Sequence, residues 1–124
     1  MNELHNNAQK INQHFDLVDR CLEFSKSVRN LVNNIPKNES NYVYVKQVLR
    51  SSSSIGANYI EANESLSKKD FKYRIKISLK EAKETLYWLE LIEVYAYQKV
   101  TLKNIQDENT QLLKILSSIY TKTL

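Results

Sequence analysis

The sequence predicts an all-α protein: an antiparallel up-down four-helix bundle, one domain over residues 1–124. Three observations predict it. Turn formers are almost absent, with one glycine and one proline in 124 residues, too few for the reversals of a β fold. Apolar residues recur at three- and four-residue steps through most of the chain, the period of a half-buried helix. Short polar stretches interrupt that period three times, and short connections make consecutive helices antiparallel neighbours. A chain of this length buries roughly two-thirds of its unfolded surface, enough for a real core.

Residues 1–14 are polar and are expected to be loosely ordered. The first helix is expected over 15–35, with Val18, Cys21, Ser25, Val28, Val32 and Ile35 on one face and Leu22 and Leu31 widening it. Pro36 ends it, because proline lacks the N–H that a helix interior needs and biases Ile35 away from helical geometry. Residues 37–41 form a polar turn with N-cap candidates Asn38 and Ser40. The second helix, 41–62, buries Val45, Val48, Ser52, Ile55, Tyr59 and Ala62. Residues 51–54, Gly56 and Ala57 are all small. Serine and glycine are indifferent helix formers, so their place here predicts close approach by a neighbouring helix.

Asn63 is a candidate C-cap, and Ser67 an N-cap with Asp70 three residues on, much like a capping box. The third helix is expected over 68–97, with a core stripe of Phe71, Ile75, Ser78, Leu79, Ala82, Leu86 and Leu89. The fourth, over 102–122, buries Leu102, Ile105, Leu112, Leu116, Ile119 and Tyr120.

The third helix has two further faces. Tyr73, Ile77, Trp88, Leu91 and Tyr95 fall away from its core stripe at ~100° per residue. A solitary bundle should show water a mostly polar surface there, so these residues are candidates for an oligomer interface. Lys69, Lys72, Lys76, Lys80 and Lys83 line another side and are the candidate nucleic-acid-binding residues. In a symmetric ring that row repeats around the axis and builds a strong field. The bland reading is a solvated face neutralised by Glu81, Glu84 and Glu90. The second helix carries its own polar stripe: Arg50, Ser54, Asn58 and Glu61.

The formal net charge is +4, a mild excess compatible with an acidic partner such as RNA. Cys21 is the single cysteine, so no internal disulfide forms, and it reads as a small buried hydrophobe. The N-terminus lacks the basic start and apolar run of a secretion signal, and no apolar stretch approaches the ~20 residues that cross a bilayer. A cytoplasmic location with no membrane contact is expected. Paired carboxylates would need Glu61 and Glu64 in a cleft, which nothing in the sequence supplies. His5 and His14 have no ligand spacing, and Gly56, inside a helix, cannot build a phosphate loop. The expectation is a non-enzyme with no cofactor, metal or small-molecule substrate.

With these residues laid out, a resemblance emerges. RSSSSIGANYIEA (50–62), SKKDF (67–71) and LKEAKETLYWLEL (79–91) resemble the bacterial four-helix-bundle family whose founding members are encoded by intervening sequences in 23S ribosomal RNA genes. The same family includes accessory variability determinants of diversity-generating retroelements. Ser54, Ile55, Asn58 and Glu61 match its common helix-two motif, while Tyr59, Ile60 and Ala62 follow the subgroup with Gly-Ala-Asn-Tyr and Glu-Ala. The resemblance implies an up-down bundle assembling as a homo-oligomeric ring, typically a pentamer. In the retroelement branch it implies work with RNA and a nucleic-acid enzyme. The expected function is an accessory protein presenting a basic surface to such partners. The alternative is a protein-interaction scaffold with no nucleic-acid role.

Overall fold

A computed structural model describes the backbone of residues 2–124 and side chains from residue 17 on. Four α-helices follow in order: α1 (Asn2–Val32), α2 (Glu39–Asn63), α3 (Lys68–Leu91) and α4 (Lys99–Lys122), with a 3-10 turn at Ala96–Gln98. Each helix packs on the next, α2 with α3 most extensively, and α4 closes back on α1. The α1–α2 seam therefore lies opposite the α3–α4 seam.

Cross-helix hydrogen bonds fix the directions. Ser78 donates to the Ile55 carbonyl and Thr85 to Ser51 Oγ, so α2 and α3 run antiparallel. Asn109 donates to the Ala82 carbonyl and Gln106 to Glu90, so α3 and α4 do too. Arg20 pairs with Glu108 and Gln98 donates to the Asn34 carbonyl, which sets α1 against α4 in the same sense. The predicted up-down bundle is the observed fold. Val28, Val48, Ile55, Ile75, Leu89, Leu112 and Leu116 are fully buried along its axis. Burying each contributes on the order of 1.5–3 kcal/mol.

The small residues of α2 act as the sequence suggests. A Cβ on Gly56 would stand 2.9 Å from the Cβ of Cys21 on α1. Ser52 is buried, and its carbonyl accepts from Ser25 of α1 at 3.3 Å. Ser51 faces α3 instead and accepts from Thr85 at 2.8 Å. Ser53 is exposed and Ser54 half-buried, and both donate to carbonyls of their own helix, as mid-helix serines commonly do.

Several boundaries differ from the periodicity. The third helix ends at Leu91, not 97. Ile92 is extended and buried, and the buried Asn41 side chain clamps the next residue. Asn41 accepts from the Glu93 N–H at 2.8 Å and donates to the Glu93 carbonyl at 2.9 Å and the Pro36 carbonyl at 2.8 Å. A tertiary latch thus stops α3 where no glycine or proline does. α1 ends at Val32, three residues before Ile35, and α4 starts at Lys99, three before the expected 102. Gln98 builds that start by accepting from the Tyr95 N–H. Asn38 is the N-cap of α2, accepting from the Asn41 N–H, and Glu64 rather than Asn63 is its C-cap. Leu22, expected to widen the buried stripe, is 51% exposed. α1 begins at Asn2 rather than 15, so the backbone of 2–14 is helical where loose order was expected, and the side chains of His5 and His14 fall outside the described ones.

Candidate nucleic-acid interface

The lysine row begins in the first turn of α3. Ser67 caps that helix, accepting from the Asp70 N–H at 3.1 Å, and the helical period then puts the lysines on one side. Lys69, Lys76, Lys80 and Lys83 are exposed, and Lys72 is half-buried. Because α4 runs antiparallel, Tyr120 meets the start of the row. The Lys72 and Lys76 ammonium groups lie 4.7 and 5.0 Å from its ring centroid. Such cation–π contacts lay both ammonium heads against the ring face.

No lysine of the row forms an ion pair among the described residues. The three glutamates of α3 are engaged elsewhere. Arg50 of α2 reaches Glu81 at 3.4 Å and Glu84 at 3.3 Å. Glu90 accepts from Gln106 at 3.2 Å. The neutralised-face reading relied on these carboxylates, and their partners lie on α2 and α4.

The polar stripe of α2 divides in use. Arg50 ties α2 to α3 through a carboxylate on Glu81 that is only 8% exposed. Such a pair costs desolvation, so it specifies the α2–α3 register more than it stabilises. Ser54 donates to the Arg50 carbonyl and Asn58 to the Ser54 carbonyl, both on their own helix. Glu61 is exposed, so it is not the buried acid an enzyme reading requires.

Tyr73, Ile77, Trp88 and Leu91 share one side of α3 but differ in exposure, and Tyr95 leaves that face. Tyr73 is 63% exposed, and Ile77 and Leu91 are half-buried. Trp88 is half-buried inside its own protomer, with ring centroids 6.1 Å from Tyr44 on α2 and 5.2 Å from Tyr87. Its indole N–H is buried and meets no acceptor among the described residues. Tyr95, expected on the third helix, lies beyond its end and stacks on Tyr97 at 5.7 Å. Three exposed aromatics were missed, Tyr42, Tyr87 and Tyr97. Tyr87 stands seven residues after Lys80, two helical turns along the lysine row, and that spacing was the available signal. Tyr97 had none, since the period placed it at a helix end.

Among the described residues, no cluster of His, Cys, Asp and Glu could hold a metal, and no helix is long and apolar enough to cross a membrane. No curated protein matches the chain. A crystal structure of a protein of unknown function, from the S23 ribosomal protein family of Bacteroides thetaiotaomicron, is similar at 40% identity and a TM-score of 0.73. The match covers 84% of this chain and 97% of that one. A sequence profile described as 23S rRNA-intervening sequence protein matches residues 13–118. That span contains the lysine row, the Arg50 motif and all but the ends of the bundle, and the chain belongs to the 23S rRNA-intervening sequence protein family.

Proposed function

We propose that this protein is a non-enzymatic, homo-oligomeric accessory bundle that presents the lysine row of α3 to RNA or to an enzyme acting on nucleic acid. One observation carries the reading: the row makes no ion pair among the described residues, while the three glutamates of its own helix are turned to Arg50 and Gln106. An isolated lysine in salt solution attracts a phosphate weakly. A row at three- and four-residue steps engages several phosphates at once, and each contact releases counterions. Assembly through the Tyr73 side of α3 repeats the row around an axis and adds the fields. Five copies is the number the family resemblance implies.

The test is a salt titration of single-stranded RNA binding. With the five lysines engaged, log K falls with log salt at a slope of about −3.5. The triple variant Lys76→Glu, Lys80→Glu, Lys83→Glu changes only exposed side chains. It should weaken binding at least a hundredfold at low salt and flatten the slope. Wild-type protein without salt-dependent RNA binding refutes the reading. It would leave the scaffold reading, which the exposed Tyr73 and Tyr87 favour because aromatics anchor protein interfaces.

A further inference from the structure

The side of the bundle away from the lysine row carries a second surface. Two recesses, about 340 and 460 Å³, follow one another along the α1–α2 seam. Leu49 floors the first, and Val32, Ile35 and Val45 floor the second. Small side chains at Ser25, Ser52 and Ser53 keep the first one low. From Leu22 to Asn33 the groove runs ~17 Å, about three turns of a docked helix. Leu22 and Tyr42 project from its edges, 51% and 68% exposed.

The charged side chains that line the recesses are cations, and the nearest carboxylate to the second is Glu93, which accepts from the lining Asn38 at 3.2 Å. Lys26, Arg29, Lys37 and Lys46 line the two recesses, and no carboxylate does. Glu23, one turn away, reaches only Lys26, at 3.4 Å between exposed groups. Arg29 donates to Asn30, and Lys46 sits 4.2 Å from the Tyr42 ring centroid. Pairs this exposed are worth little and yield to a better partner.

We infer that the α1–α2 groove docks an amphipathic helix of a protein partner, with an apolar stripe for the floor and acidic residues for the rim. A long apolar trough between two helices accepts a helix through anchors at i, i+3, i+4 and i+7. Charge complementarity selects an acidic one. A second copy is a poorer occupant, because this chain is itself basic, with a net charge of +4. RNA is poorer too, since its phosphates leave the aliphatic floor uncovered. The groove is independent of the lysine row and lies on the opposite seam.

A fluorescein-labelled 20-residue peptide tests it, with leucines at i, i+3, i+4 and i+7 and glutamates flanking them. A scrambled peptide of the same composition is the control, and anisotropy is the readout. The periodic peptide should bind at least tenfold more tightly than the scrambled one. The double variant Leu22→Glu, Arg29→Glu should lose at least tenfold, with helical circular dichroism unchanged because both positions are exposed. The triple variant of the lysine row should bind the peptide like wild type, even if the RNA reading fails. Equal affinity for both peptides overturns the inference, as does unchanged binding by the double variant. A fall in assembly mass caused by the double variant would put a second copy in the groove, and loss of RNA binding by it would put phosphates there. Either result overturns the inference.

Discussion

Cys21 is sealed where α1 crosses Gly56, and burial there pushes its thiol up to about 11, against a smaller opposing pull from Arg20. The thiolate is the reactive form, so the folded protein should resist disulfide exchange reagents at neutral pH and react only as fast as it unfolds. The unfolded thiol ionises near 9.0 and the folded one near 11. Its contribution to stability is therefore complete below pH 9 and is lost as pH rises through 11, on the order of 2–3 kcal/mol. Burial also raises the Tyr59 hydroxyl, which adds loss in the same direction. Urea unfolding between pH 8 and 11 should show the decline, and a Cys21→Ala variant should show a shallower one. Burial of Cys21 was legible, since it sits on the helical period. The latch at Asn41 was not: a polar residue at a helix start reads as a cap, and its bonds to Glu93 span 52 residues of sequence.

At the scale of the element, the helices follow from period and caps, and their ends follow from contacts. Ser67 and Asn38 were readable because a cap bonds residues three apart. The end of α3 depends on Asn41 from another helix, so Tyr95 moved off the face assigned to it. Asn109 is a further case. It is fully buried in α4 between Ile105 and Leu112, where only apolar residues were expected. It donates to the Ala82 carbonyl at 3.0 Å, which joins α4 to α3 at one register. The α1–α2 crossing yields a sharp expectation. Gly56→Ala gains about 1 kcal/mol in helix propensity. The new methyl meets a Cβ 2.9 Å away that is fixed to backbone, and overpacking of this kind costs about 1–3 kcal/mol. The variant should be less stable than wild type by about 1 kcal/mol in urea denaturation. Cys21→Ala should not rescue it, because the Cβ remains.

The whole molecule has two unlike sides: lysines and exposed tyrosines along the α3–α4 half, and a cation-rimmed apolar groove along the α1–α2 seam. The lysine row was legible because five like residues at helical spacing fall on one line. That it makes no ion pair among the described residues was not, since Arg50 draws Glu81 and Glu84 from a distant part of the sequence. At Trp88 the period marked a large apolar area, and Tyr44 of α2 covers part of it. Tyr73 is the better probe of assembly, because it is exposed and its replacement leaves the core intact. The most direct measurement is the mass in solution by light scattering of wild type and Tyr73→Glu. The account predicts a wild-type particle several times the 14.6 kDa of one chain, and a Tyr73→Glu particle shifted towards 14.6 kDa. A wild-type particle of 14.6 kDa at micromolar concentration would contradict it.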